Sequence, residues 1–494
     1  MIDRRNLLNS AGMSILNVVL SACTLFILYK YLLSSIGVDK LGIWALILAA
    51  TSITRISEFG MSASVVKFVS KYLVVDKRVE AANVVQTAII STGCLTAIAL
   101  IAARPLIEFG LTFFVSDEAS ILANELLPYA LFSLWMSMVT SVLFSGFDGC
   151  QKIPLRNGMT LIGNILYLPT AILLVSKYGL VGLAFAQVLQ SFLILTISWI
   201  LLRRVLSALP KFPNSWNKLI FKEIILYSVG LQITGLLALL IEPLTKALLS
   251  KFGGLSMVGY FEMASRMVSQ FRSLLVSLNQ IIVPVIARQQ EVSPENIKNT
   301  YLISYRLLFY FSLPAYAGLF SMIPLISELW IGSFQRDFVI LSMLVTIGAL
   351  LNSLINPAYF VNLGIGNLKA NMNGHIVMSF LNGATGYLFG SIFGGIGVAL
   401  AYVVSMSIGS WVILIFFHLS QKIPIVNVFP RESLTLAISS IIGSVLTLLI
   451  YFLLKGHMSI VVIFSICLLF FSAISVFLMW NHPMRKQLAK WVGF

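Results

Sequence analysis

LGIWALILAATSITRISEFGMSASVVKFVSKY, residues 41–72, begins as a long apolar run and ends on a pair of lysines, Lys67 and Lys71. A bilayer core about 30 Å thick takes roughly 20 apolar residues in a helix, so 41–66 reads as a membrane-spanning helix with a basic exit. Two charges, Arg55 and Glu58, lie inside it. Burying an arginine at that depth costs about 2.5–3.5 kcal/mol, and such residues normally face a bundle interior or a wet cavity.

The rest of the chain repeats this pattern. Of 494 residues, 59% are apolar and 10% charged, and the mean hydropathy is +0.95. Soluble domains carry about 25% charged residues, so this composition excludes a soluble globule and a disulfide-stapled secreted protein. Apolar runs lie near 11–33, 41–66, 81–103, 122–145, 157–176, 179–202 and 221–245. They continue near 257–287, 299–323, 338–361, 371–392, 396–418, 433–454 and 458–480. These are twice the length of spanning strands, which points to an all-α polytopic membrane protein of about fourteen helices. The first run follows Arg4 and Arg5 as a signal peptide would, but its length and the lack of a small-x-small site make it a first span. The four cysteines, Cys23, Cys94, Cys150 and Cys467, have no metal or disulfide spacing and are expected to pack.

Charge placement supports the count. If the N-terminus is cytoplasmic, 21 Lys and Arg fall in cytoplasmic segments, including Lys71, Lys77, Arg78, Arg203, Arg204 and Lys211. Seven fall outside: Lys40, Arg104, Lys177, Lys246, Lys251, Arg336 and Lys455. This threefold bias follows the positive-inside rule with both termini cytoplasmic, and it accounts for the net charge of +15 without nucleic acid as a partner.

An internal repeat runs through the chain at an offset of 217. Gly37 meets Gly254, Gly42 meets Gly259, Trp44 meets Phe261, Arg55 meets Arg272, Lys71 meets Arg288, Gly149 meets Gly366, and Lys152 meets Lys369. GLVGLAFA from Gly179 matches GGIGVALA from Gly394. Six helices separate equivalent positions, so the repeats are parallel, and transporters place their substrate site between such repeats. The expected organisation is an N-lobe over 1–202, a cytoplasmic linker over 203–220 and a C-lobe over 221–418. Two appended helices and a cytoplasmic tail fill 419–494.

Five basic residues lie within spans: Lys30, Arg55, Arg266, Arg272 and Arg306. Lys30 and Arg306 are close enough to helix ends to snorkel. Arg55 has Glu58 at i+3 and Arg266 has Glu262 at i−4, so internal pairing is one reading. The other is a cationic cavity, because Arg272 has no carboxylate at helical spacing and the repeat matches it to Arg55. Guanidiniums bind phosphates and sugar acids through paired hydrogen bonds. Glu242 precedes Pro243, where a helix break could free carbonyls for a cation, or where Lys246 at i+4 simply pairs with it. Glu58, Glu242 and Glu262 are the candidates for ion coupling. Asn352 and Asn356 are either helix–helix glue or sugar ligands. The glycine-rich GIGNLKANMNG near 364–374 lacks the P-loop order, and the histidines, His375 among them, have no metal-ligand spacing. No cofactor is expected.

Residues 41–72, the stretch VGYFEMASRMVSQFRSLLVSLNQIIVPVIAR at 258–288, and the Gly146–Lys152 loop with the later GLVGLA turn together carry a resemblance. They resemble the Wzx-type O-antigen and polysaccharide flippases of the multidrug/oligosaccharidyl-lipid/polysaccharide (MOP) exporter superfamily. The resemblance implies a transporter, not an enzyme, in the bacterial inner membrane. It would flip an undecaprenyl-diphosphate-linked oligosaccharide by alternating access, with Arg55, Arg266 and Arg272 in a cationic cavity. Its implied partners are the lipid bilayer and the polysaccharide polymerase machinery. Lipid II flippases are similar but usually carry an Arg-Asp pair in helix 1 that is absent here. A cation antiporter of the superfamily would want an anionic cavity, and a membrane glycosyltransferase or polymerase a large periplasmic loop.

Cysteine-accessibility labelling is expected to place 203–220 and both termini in the cytoplasm. External labelling of 203–220 would overturn the helix count and the charge argument with it.

Overall fold

The computed structural model describes residues 4–58, 60–280, 286, 289–290, 292–424 and 431–485. Arg288, Lys486 and Lys490, used in the charge and repeat arguments, lie outside these residues, as do both chain termini. Among the described residues the chain is nearly all helix, with no strand beyond one isolated bridge between Lys455 and Met458. Ten of the helices among the described residues are long and apolar enough to cross a membrane.

The helices are α1 (Arg4–Ile36), α2 (Val38–Ser52), α3 (Met61–Val74), α4 (Arg78–Thr112), α5 (Asp117–Gly149), α6 (Ile153–Val205) and α7 (Lys218–Gln280). They continue as α8 (Ile297–Trp330), α9 (Arg336–Ser353), α10 (Asn356–Ile365), α11 (Lys369–Ser420), α12 (Arg431–Leu454) and α13 (Ile460–Asn481). A straight helix as long as the 53-residue α6 would extend about 80 Å, more than twice the hydrocarbon thickness. It is bent instead at Gly179, as α7 is at Gly254 and α11 at Gly394. The two arms of α6 pack on each other: Gln190 Nε2 donates to Gly163 O at 3.1 Å. Counting each bent helix as two, and joining α2 with α3 and α9 with α10 as broken spans, gives fourteen spans among the described residues.

The repeat is written into the backbone. Gly37 and Gly254 share one left-handed conformation (φ 82, ψ 167 and φ 81, ψ 175), and Gly179 and Gly394 share another (φ 57, ψ −133 and φ 63, ψ −150). A side chain pays for positive φ, and glycine does not.

Two units divide the chain, Met1–Gly259 and Tyr260–Phe494. In the first, α3, α4, α5 and the second arm of α6 close around Val65, Phe68, Val85, Val142, Phe147 and Leu202. The basic linker is a strap fixed to α4. Gln86 Oε1 accepts from Asn214 N and Ser215 N (3.2 and 3.3 Å), and Trp216 Nε1 donates to Ser91 Oγ at 2.9 Å. The start of α7 then meets α3 through a 2.6 Å contact between the hydroxyls of Ser64 and Ser228. These bonds place the linker and the first arm of α7 in the first unit.

Also within this unit, a Cβ at Gly42 would lie 2.0 Å from Leu255 O, and one at Gly259 would lie 2.5 Å from Val38 O. Residues 38 and 255, like 42 and 259, are repeat equivalents, so the contact is reciprocal. Ser256 Oγ donates to Asp39 Oδ1 at 2.5 Å beside it.

In the second unit α8 is packed by α9, α12 and α13. Met322, Tyr451, Cys467 and Phe471 form the buried seam, and Glu328 Oε1 accepts from Lys455 Nζ (2.8 Å) and Tyr451 Oη (2.5 Å). Large apolar side chains such as Ile441, Leu449, Phe452, Leu469 and Phe477 are exposed on α12 and α13, as a lipid-facing surface requires. The expectation that all four cysteines pack is corrected: Cys467 is buried, but Cys23 and Cys94 point outward, where lipid makes an exposed thiol inexpensive.

Gly42→Ala must push two backbones apart and is expected to cost about 1–3 kcal/mol, read as a lower thermal midpoint in detergent. Gly158→Ala, with nothing within 4 Å of its Cβ, should leave the midpoint unchanged or slightly raised.

Candidate functional site

Arg55 is not in the middle of a regular helix. The 41–66 span breaks after Ser52 into the 3-10 turn Ile53–Glu58, then restarts at Met61 behind Gly60, which has φ 68. A 3-10 turn places i and i+3 on one side, so Arg55 and Glu58 share a face. Arg55 is exposed. Glu58 is held from α3 and α5: its Oε1 accepts from Ser62 Oγ and, at 2.9 Å, from Ser141 Oγ.

At Glu242 the helix continues through Pro243, so the break considered from sequence does not form. Glu242 Oε1 meets Lys246 Nζ at 2.6 Å, with the lysine side chain 2% exposed and the glutamate 56%. An ammonium that deep requires a counter-charge, because an unpaired buried charge is the costliest defect a helix can carry.

In the second unit, Arg266 Nε donates to Glu262 Oε1 at 2.7 Å. The pattern is inverted here: the glutamate is 2% exposed and the arginine 46%. Arg272, six residues further on, is held by an amide instead. Its Nη2 donates to Asn352 Oδ1 at 2.5 Å, and Asn352 Nδ2 donates to Ser410 Oγ at 3.0 Å. Among the described residues Arg272 has no carboxylate partner. Its charge acts on Tyr316, Tyr359 and His375. Tyr316 shares a 2.8 Å hydrogen bond with Ser353, and the ring of Tyr359 stands edge-on to His375 at 6.1 Å. Helices α7, α8, α9, α10 and α11 thus each supply polar groups to one enclosure.

Beside it lies an apolar groove of about 530 Å³, open to the surface and lined by Phe271, Pro314, Gly318, Met322, Phe464 and Phe471. Phe271, the neighbour of Arg272 in sequence, packs its ring on Tyr316 at 5.6 Å. Successive residues therefore serve a polar enclosure and an oily groove.

Of the residues singled out from sequence, Arg266 pairs with Glu262 and Glu242 with Lys246, while Arg55 and Glu58 share the 3-10 turn in the first unit. Sequence reasoning missed Tyr316, Tyr359 and Ser410, and noted Asn352, Asn356 and His375 without connecting them. Among the described residues no cluster of His, Cys, Asp and Glu could hold a metal ion.

Helices that fold back on paired glycines, long and apolar enough to cross a membrane, define a multi-pass membrane protein. The fold is similar to that of an inward-facing multidrug resistance MATE family transporter of the MOP superfamily (TM-score 0.70, 16% identity, 81% of this chain and 94% of that one). It is equally similar to the lipid II flippase MurJ in an inward closed conformation (TM-score 0.70, 18% identity, 95% of this chain and 99% of that one). The Vibrio cholerae MATE transporter VcmN in its bent form matches at a TM-score of 0.56 and 14% identity, over 84% and 98% of the two chains. A family profile described as polysaccharide biosynthesis protein matches residues 35–339. The chain belongs to that polysaccharide biosynthesis protein family. No curated protein sequence matches it significantly.

Asn352→Leu removes the acceptor for Arg272 and the donor to Ser410 together. It is expected to cost about 1–3 kcal/mol, measured as a fall in thermal midpoint. Ser407→Ala on the same helix as Ser410, losing only a bond to Val403 O, should cost less than half of that.

Proposed function

We propose that the chain is a flippase that carries an undecaprenyl-diphosphate-linked oligosaccharide repeat unit across the bacterial inner membrane during O-antigen or related polysaccharide assembly. The observation that carries this reading is the adjacency of Arg272 and Phe271. A lipid-linked glycan has an anionic, hydroxyl-rich head on a long apolar chain, and a site for it needs polar and oily recognition within a few ångströms. The enclosure around Arg272 and the groove lined by Phe271 offer that pair. Membership of the polysaccharide biosynthesis family supports the same substrate class, as does the likeness to a lipid II flippase. A cation antiporter would not need a carboxylate-free guanidinium.

In this proposal the two repeats, 1–202 and 221–418, act as lobes that alternate access, with both termini in the cytoplasm and the polymerase machinery receiving the flipped unit. Arg55, Arg266 and Arg272 present charge to the substrate, since guanidinium forks match phosphate oxygens. Transport of a bulky anion draws on an ion gradient or the membrane potential. Glu262 is the best of the coupling candidates, ahead of Glu58 and Glu242. It is buried and held by an exposed arginine, so a substrate that recruits Arg266 would leave a carboxylate ready to take a proton.

Arg272→Ala and Arg55→Ala are each expected to abolish translocation of the lipid-linked repeat unit in proteoliposomes while membrane levels persist. Arg→Lys should restore only part of it, because an ammonium cannot fork. Normal transport by Arg272→Ala would remove the central support of the proposal.

A further inference from the structure

We propose that the basic strap on α4, through Lys211, Lys218 and Lys222, is a docking surface for anionic phospholipid headgroups that holds the first unit at the membrane interface. The inference does not involve the transported substrate. It needs only that the chain spans a membrane.

Bonds to α4 set the level at which the strap lies. Gln86, Thr87 and Ser91 hold Asn214, Ser215, Trp216 and Asn217. These α4 residues stand about 12–20 Å along the helix from its start at Arg78, at 1.5 Å per residue. Helix α4 is buried almost continuously from Ala81 to Thr92, and the strap is part of its cover. Between Leu206 and Asn217 the strap is not helical. Irregular backbone is not tolerated against hydrocarbon, so this level belongs to the headgroup layer.

The strap nevertheless turns large apolar side chains outward. Phe212 is 77% exposed and Leu219 76%. Trp216 is split between two environments: its indole N–H donates inward to Ser91 Oγ while its ring stays half exposed, as interfacial tryptophans do. The turn from α3 to α4 adds Val74 and Val75, both exposed, and its Leu73 packs into the same core as Leu206 and Leu209 of the strap. An apolar patch of this kind suits lipid rather than water.

Charge identifies the lipid. From Arg203 to Lys222 the chain carries five basic residues and no Asp or Glu. Exposed lysines alternate with the apolar prongs: Lys211 precedes Phe212, and Lys218 and Lys222 bracket Leu219 on one face at the start of α7. A helix start carries partial positive charge and disfavours cations. The cap there is neutral, with Asn217 Oδ1 accepting from Leu219 N (2.8 Å) and Ile220 N (3.2 Å), so the lysines are left uncompensated. Lipid phosphates lie at this depth and bring acyl chains for Phe212 and Leu219. A soluble acidic protein would match the lysines and leave those two side chains unmatched. Lysines beside an anionic bilayer each strengthen attachment roughly fivefold.

The test uses purified full-length protein in detergent, titrated with dioleoylphosphatidylglycerol and separately with dioleoylphosphatidylcholine. Phosphatidylglycerol should raise the wild-type thermal midpoint more than phosphatidylcholine at equal concentration. Combining Lys211→Gln, Lys218→Gln and Lys222→Gln should increase the phosphatidylglycerol concentration for half the effect by about tenfold or more. The matched triple Lys298→Gln, Lys369→Gln and Lys422→Gln, exposed lysines of the second unit, should shift it by less than about threefold. Phe212→Cys, carrying a fluorophore in a background with the four native cysteines changed to alanine, is read in phosphatidylglycerol nanodiscs. Its emission should be quenched by a lipid spin-labelled near the headgroup and protected from aqueous iodide. Each variant is first checked for monodisperse elution. If the cysteine-free background does not fold, the lysine titrations decide the matter.

Equal response of the wild type to the two lipids would overturn the docking surface, as would an unchanged response in the folded Lys211, Lys218 and Lys222 variant. An equal loss in the matched triple would show general charge attraction and overturn it too. So would free access of iodide to position 212, the result that a surface built for a soluble partner would give. None of these measurements reads translocation, so the docking surface and the transport reading stand or fall separately.

Discussion

Hydrocarbon cannot hydrogen-bond to a peptide group, and this structure depends on that constraint throughout. Each backbone N–H and C=O inside the bilayer must be paired by the chain itself, which leaves helices as the spanning element. Turning points then become the difficult places, because a turn frees several backbone groups at once. The protein shortens them to the minimum. At Gly37, Gly179, Gly254 and Gly394 a single residue outside the helical region reverses or bends the chain, and helix resumes at once. The same lack of a side chain lets backbones approach at Gly42 and Gly259, so the repeat recurs in contacts as well as in sequence.

Charges inside such a fold obey the same accounting. Lys246 and Glu262, both almost fully buried, each have a partner one turn away on their own helix, and that partner is the more exposed member. The buried charge is thus compensated from its own helix. Arg272 is treated differently. It is held by a neutral amide relay from Ser410 through Asn352, which fixes its orientation without cancelling its charge. A guanidinium that is oriented but not neutralised is what an anionic ligand needs, and its neighbour Phe271 opens onto the apolar groove.

The basic segment after Val205 shows how a connection can become a structural part. Its backbone and Trp216 are bonded to Gln86 and Ser91 on α4. The strap carries the chain to the Ser64–Ser228 contact and fixes the start of α7 against α3. A flexible tether would leave α7 free of the first unit.

The sequence by itself determined the class of fold, the number of spans and the existence of the repeat. Hydrophobic length is a local property set by bilayer thickness, charge bias is read loop by loop, and glycines matched at one offset mark equivalent turns. It also marked Arg55, Arg266 and Arg272 as costly enough to need a reason. Only the tertiary structure decided what satisfies them. The 3-10 break beneath Arg55 and the continuity of α7 through Pro243 depend on how neighbouring helices pack, because the same residues could bend or run straight. Asn352, Tyr316, Tyr359, His375 and Ser410 come from four separate helices, and no period of 3.6 relates residues on different helices. Their meeting around Arg272 is a product of packing, since side chains on different helices become neighbours only when those helices are side by side.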